Sequence, residues 1–307
     1  MTSSATSRLA FPSLRSLARL SPCCSLAPST LAVHRGPGRA QLFSMGTSGR
    51  RRFAPLGGER ADRKADAPVL KGVVFDVDGT LCEPQSQMFR DMRAALAIPR
   101  EADILTHVAS LPPAAQSAAH ATLRKIETHY MRLQTPQPGL VELMAYLEER
   151  GVRKGICTRN FDGPVKHLLD AFLGGNGVPP ERQLDGAAET GVAAWDGARF
   201  WPIVTRDFHP PKPHPAGILH IAKTWGLTRP DGAGDGSGLV MVGDSMDDML
   251  AGRGAGAATV LLSHGDNAHV AESGAVDLVV RRLDELIGVF EEGFEGMVRE
   301  GNAAGAA

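Results

Sequence analysis

Gly72-Val73-Val74-Phe75-Asp76-Val77-Asp78-Gly79-Thr80 is the stretch on which the fold turns. Its first four residues form a short continuous apolar run, as a strand buried on both faces does. Two aspartates follow at i and i+2. Side chains alternate along an extended segment, so both carboxylates share a face and can reach one site. In open α/β sheets ligands bind at the carboxyl ends of the parallel strands, and these acids sit at such an end. Unpaired carboxylates there are costly, and a bound cation would offset the cost.

The surrounding chain repeats the pattern. Lys154–Thr158, Pro202–Thr205, Leu239–Val242, Thr259–Leu262 and Asp277–Val280 are further apolar strand candidates. Helical patterns lie between them at Gly139–Arg150, Pro164–Leu173, Pro215–Trp225, Met246–Gly254 and Leu283–Phe290. The alternation predicts an α/β fold, a parallel sheet with helices on both faces. Residues 84–137 interrupt it with helical patterns alone, at Met88–Ile98, Ala102–Ser110 and Ala115–Leu133. An all-helical insertion after the first strand has the outline of a cap. Gly174–Gly197 and Pro230–Gly238 are glycine-rich and read as surface loops.

Other chemistry-bearing residues fall at the same edge. Thr158 ends the second strand, Lys212 lies in the proline-stiffened His209–Pro215 loop, and Gly243-Asp244-Ser245-Met246-Asp247-Asp248 follows the fourth strand. A hydroxyl, an ammonium and two groups of acids thus converge in order along the chain. Taken together, DxDGT at Asp76–Thr80, the strand-end Thr158, Lys212 and GDxxxD at Gly243–Asp248 resemble the haloacid dehalogenase superfamily. The resemblance spans roughly residues 69–290 and points to its phosphatase branch with a small helical (C1-type) cap.

That resemblance implies a Rossmann-like sheet of order 5-4-1-2-3, with Asp76 on the central strand. Composition sets apart 1–67 as a disordered leader (1–58) and a charged, polar linker (59–67); with the resemblance, the expected domains that follow are 68–83 with 138–293 (catalytic core), 84–137 (cap) and 294–307 (flexible tail). Asp76 would be the nucleophile, forming an aspartyl-phosphate, and Asp78 the general acid and base. Gly79, Thr158, Arg159 and Lys212 would bind phosphoryl oxygens. Mg²⁺ would be held by Asp76, the Asp78 carbonyl, Asp244 and Asp248, the last through water or by orienting Lys212. The expected reaction is Mg²⁺-dependent hydrolysis of a small phosphorylated metabolite. A phosphomutase and a non-catalytic binding scaffold are the alternatives.

The lesser candidates carry two readings each. Arg159, Asn160 and Arg206 follow strand ends and suit a substrate's second anion or nearby acids. Cys82 is an oxidisable thiol beside the site or a small buried one. Met88, Phe89, Arg90 and Met92 line a pocket or pack the cap. His214 stands where the family usually has Asp, as an expected helix N-cap before Pro215. The ten histidines show no zinc spacing.

Charge completes the reading. The net charge of −1 gives no nucleic-acid signature, and no apolar stretch is long enough to span a membrane. Yet residues 1–58 hold eight arginines and no acid, while residues 59–307 carry −9. Arg8, Arg15 and Arg19 fall within roughly 40° on a helical wheel, opposite Leu9, Leu14, Leu17 and Leu20. Such a basic, acid-poor segment predicts a mitochondrial transit peptide. Initiation at Met45 would instead give a cytoplasmic or nuclear form. Oligomeric state has no signature in the sequence.

Overall fold

The computed structural model describes residues 50–56, 69–174 and 200–297. The predicted leader, Met45, the 59–67 linker and nearly all of the 174–197 loop lie outside the described residues. Eight strands are described: β1 (Arg50–Arg52), β2 (Gly72–Phe75), β3 (Arg153–Cys157), β4 (Phe200–Val204), β5 (Leu239–Gly243), β6 (Ala258–Leu262), β7 (Leu278–Val280) and β8 (Glu295–Met297). Six form the main sheet in the order β4-β3-β2-β5-β6-β7, with every neighbouring pair parallel. The expected five-strand order is present, with β2 as its first strand, and is extended by β7. Asp277 anchors that sixth strand: its carboxylate accepts from the Thr259 amide at 2.9 Å and the Thr259 hydroxyl at 3.2 Å.

Both faces of the sheet are dry, as the unbroken apolar runs predict. Val73, Phe75, Ile156, Val240 and Val242 pack on one side with Leu143 and Leu147 of the helix Leu140–Glu149 and Leu286 and Phe290 of the helix Glu285–Glu292. Val74, Cys157, Leu239 and Met241 pack on the other with Ile218 and Ile221 of the helix Ala216–Thr224 and Ala251 and Ala255 of the helix Met246–Ala255. Alternation within each strand therefore feeds two cores at once. Trp225 closes the second core over two glycines. A Cβ on Gly72 would lie 2.4 Å from its ring, and one on Gly155 3.2 Å. Its indole N–H donates to the Trp201 carbonyl at 2.7 Å.

The ends of the ordered body correct two expected boundaries. β1 pairs antiparallel with β8, and the buried rings of Phe53 and Phe294 stack with centroids 5.1 Å apart. The leader expected through residue 58 and the tail expected from 294 each contain an aromatic side chain that the core takes in. Burying two rings favours this closure by more than loose ends would allow.

Residues 84–137 hold the helices Ser86–Leu96, Ile104–Ser110 and Pro113–Met131. Each starts before or after its expected residue, by at most two positions. Asp103 caps the second helix, accepting from the Thr106 amide at 2.8 Å. Met88, Met92, Ile104, Val108 and Leu123 make a core of their own, with Phe89 packed against it, so the methionines are structural. The two crossings into this unit lie side by side. The Glu83 amide donates to Thr135 (2.9 Å), the Gln137 amide to Leu81 (3.0 Å), and the Gln137 side chain to the Gly79 carbonyl (3.0 Å). Among the described residues no helix is long and apolar enough to cross a membrane.

Trp225→Ala is expected to lower stability by roughly 3–5 kcal/mol, since it empties a buried site and bares two glycine-floored strands. Gly72→Ala should also destabilise, by about 1–3 kcal/mol, through overpacking against the same ring. Urea unfolding of both variants checks this, and an unchanged midpoint for Trp225→Ala would contradict the packing.

Candidate active site

The parallel sheet delivers its polar residues to one edge. Asp76 follows β2, Thr158 follows β3, Thr205 follows β4 and Asp244 follows β5. Lys212 reaches in from the loop beyond β4. Its ammonium donates to Asp76 Oδ1 at 2.8 Å and to Asp248 Oδ1. All three side chains are buried. A buried ammonium survives only when paired; here two carboxylates hold it charged, well above the ordinary lysine range.

Asp248 has two jobs. Its Oδ1 takes Lys212, while its Oδ2 accepts from the Ser245 amide at 3.0 Å and the Ser245 hydroxyl at 2.6 Å. With Ser245 capping the helix in return, this is a capping box. The GDxxxD spacing points to a site role, and the structure shows the same residue starting the helix.

Asp76 feels opposite forces. Burial raises its pKa, Lys212 lowers it, and the nearby Asp248 and Asp244 raise it again; the result is pushed up to about 7. Burial likewise raises Asp244 and Asp78. The Asp78 carboxyl receives hydrogen bonds from the side chains of Asn160 and Cys82. Its Oδ2 is buried with no partner, as is the Thr80 hydroxyl. Cys82 is buried, and its thiol is pushed far up by burial and by Asp78, so it is not a reactive thiolate. Cys157 is pushed up to about 12 by burial inside β3.

One oxygen each from Asp76, Asp244 and Asp248 lie within 4.8 Å of one another. An orphaned carboxylate oxygen beside three clustered acids and a single ammonium is a donor set short of positive charge. Hard oxygen ligands of this kind fit Mg²⁺. Gly79 is obligatory here: its φ is +78°, and a Cβ would lie 2.1 Å from an Asp244 oxygen.

Arg159 has another employment than the expected phosphate contact. Its guanidinium donates to Asp247 at 2.5 Å and to Asp103 at 2.6 Å. Asp247 belongs to the helix after β5, and Asp103 to the helical insertion, so Arg159 ties the insertion to the sheet. Arg206 does the same in a buried setting, donating to Glu127 at 2.7 Å and lying over the Phe161 ring. Neither arginine stands open for a substrate's second anion. His214 is not the N-cap residue. The helix begins at Ala216, and the His214 ring accepts the Ala216 amide at 3.2 Å.

Three contributors escaped the motif reading. His264 and Asn267 follow β6, and both hold Asp244. Their signal was available, since they too lie beyond a strand's carboxyl end. Glu127 had no such signal: on the sequence it is one polar residue within a helix.

The haloacid dehalogenase-like hydrolase family model matches residues 70–256. An uncharacterized hydrolase of Saccharomyces cerevisiae is 39% identical over 222 residues, covering 71% of this chain and 89% of the relative. A phosphoglycolate phosphatase of Caulobacter vibrioides is 27% identical, covering 68% and 85%. Among solved structures, a hydrolase from Pseudomonas syringae superposes with a TM-score of 0.54 at 21% identity, covering 72% and 98%. That last likeness is one of fold.

The raised pKa of Asp76 has a stability consequence. An acid favoured in its protonated form when folded contributes stability below its unfolded pKa of 3.8, and loses it as pH rises through about 7. The metal-free chain should therefore lose more stability between pH 5 and pH 8 than Asp76→Asn does, by a few kcal/mol at most. Denaturant titrations of both at the two pH values test this, and parallel losses would refute it.

Proposed function

The chain belongs to the haloacid dehalogenase-like hydrolases, and from that premise we propose that it is a Mg²⁺-dependent phosphatase acting on the phosphate monoester of a small metabolite. The observation that carries this is Lys212, clamped between Asp76 and Asp248 at the carboxyl edge of the sheet. A similar phosphoglycolate phosphatase supports phosphate-ester chemistry.

Asp76 attacks phosphorus. The bond to the ester oxygen breaks as an aspartyl-phosphate forms, and Asp78 gives its proton to the departing alkoxide. Burial suits Asp78 to that task by favouring its protonated form. Asp78 then takes a proton from water, which cleaves the aspartyl-phosphate and releases inorganic phosphate. Lys212, the Thr158 hydroxyl and backbone amides around Gly79 hold the phosphoryl oxygens. Asp76, Asp244 and the Asp78 carbonyl would hold Mg²⁺, with Asp248 acting through Lys212. The cation supplies neutralisation of charge on the phosphoryl group and its acidic neighbours.

Hydrolysis of p-nitrophenyl phosphate tests the reading. Turnover should require Mg²⁺ and vanish with a chelator. Asp76→Asn should remove activity by at least about 10³-fold, and Asp78→Asn by about 10²–10⁴-fold. No turnover in the wild type with Mg²⁺ would sink it in favour of a scaffold, and full turnover in Asp76→Asn would overturn the aspartyl-phosphate route. With a sugar phosphate in place of the aryl ester, a product that retains phosphate at a new position would identify a mutase.

Of the 1–58 segment, we also propose that residues 1–49, which precede β1, act as a mitochondrial address, on the strength of their five arginines and absent acids. Fused to a fluorescent protein, they should direct it to mitochondria. Diffuse fluorescence would contradict this.

A further inference from the structure

We infer that His264 is a positioning residue for Asp244, holding one carboxylate oxygen so that the other faces the cation; this rests on the Mg²⁺ reading above. The loop after β6 grips Asp244 from two directions. His264 Nε2 lies 3.1 Å from Asp244 Oδ2. Asn267 donates from its side chain to the Asp244 carbonyl at 2.7 Å and to the Leu262 carbonyl at 2.9 Å. The Asn267 oxygen accepts from the His264 amide at 2.8 Å, which locks the loop around the ring.

The tautomer follows from the loop. Nδ1 of His264 accepts from the Asp266 amide at 3.3 Å, so the ring proton sits on Nε2 and is donated to Asp244. Gly79 backs onto the same carboxylate, where a Cβ would lie 2.1 Å from Oδ2. Oδ2 is therefore held, while Oδ1 has no hydrogen bond among the described residues. Asp244 sits among like charges, with an Asp76 and an Asp248 oxygen within 4.8 Å. Repulsion would turn it away in the absence of the ion. A fixed N–H donor opposes that rotation, and a held carboxylate meets the cation with less to reorganise. The loop also touches the cap, since the Ser86 hydroxyl lies 3.4 Å from Asp266.

Isothermal titration of MgCl₂ into the full metal-free chain tests this on wild type, His264→Ala and His264→Gln. Glutamine can place an N–H near the position of Nε2. His264→Ala should weaken Mg²⁺ binding by about tenfold or more. His264→Gln should stay within about threefold of wild type. Metal-free melting temperatures, measured alongside, should match across the three. Equal affinity in His264→Ala would overturn the proposal, as would equal weakening in both variants with unchanged melting. If wild type itself binds no Mg²⁺, the metal reading falls and takes the inference with it.

Discussion

A single buried ammonium holds the site together. Lys212 is the one buried cation contacting Asp76 and Asp248, and the nearby Asp244 and Asp78 add further buried or half-buried carboxyls. Four acids facing one lysine cannot all be charged at low cost in a dry setting. The raised values of Asp76, Asp78 and Asp244 express that shortage of positive charge. The side chains that line the two cores beneath the site are apolar. On the function proposed above, a divalent cation would offset that shortage of positive charge.

The scaffold makes that concentration of charge possible. Parallel strands buried on both faces place their ends in one row, so side chains distant in the chain become neighbours. Helix starts then do double duty. Asp248 closes the capping box of its helix with one oxygen and fixes Lys212 with the other, so its placement is secured by backbone hydrogen bonds. Removing it would leave an ammonium short of a partner and a helix short of a cap. The glycines do the complementary work. Gly79 makes room for Asp244, while Gly72 and Gly155 make room for Trp225.

Much of this was legible in the sequence because it is local. Continuous apolar runs announce strands buried on both faces, and the i, i+2 aspartates and the GDxxxD spacing fix carboxylates relative to known strand ends. What was missed depends on distant partners. Arg159 looked like a phosphate ligand because it follows Thr158, but two acids 56 and 88 residues away claim its guanidinium. Phe53 and Phe294 looked like parts of a leader and a tail because each lies in a polar neighbourhood, and their place follows from stacking on each other within the core. The His264 ring was passed over because no motif names it, although a strand end precedes it.

The arginines change how the cap is understood. Arg159 and Arg206 follow β3 and β4 directly, so they stand beside Thr158 and Thr205 at the rim of the site. Each reaches an acid of the helical insertion, Asp103 in one case and Glu127 in the other. The two contacts differ in kind. Asp103 is exposed, and a pair there is weak and screened by salt. Glu127 and Arg206 are buried together, so separating them would leave charges unpaired away from water. The insertion is thus fastened firmly near Glu127 and loosely near Asp103. Arg159 also keeps Asp247 as a partner on the sheet side. The same loops that carry Thr158 and Thr205 therefore carry the attachments of the helical insertion, so the rim of the site and the seating of the insertion share one set of supports.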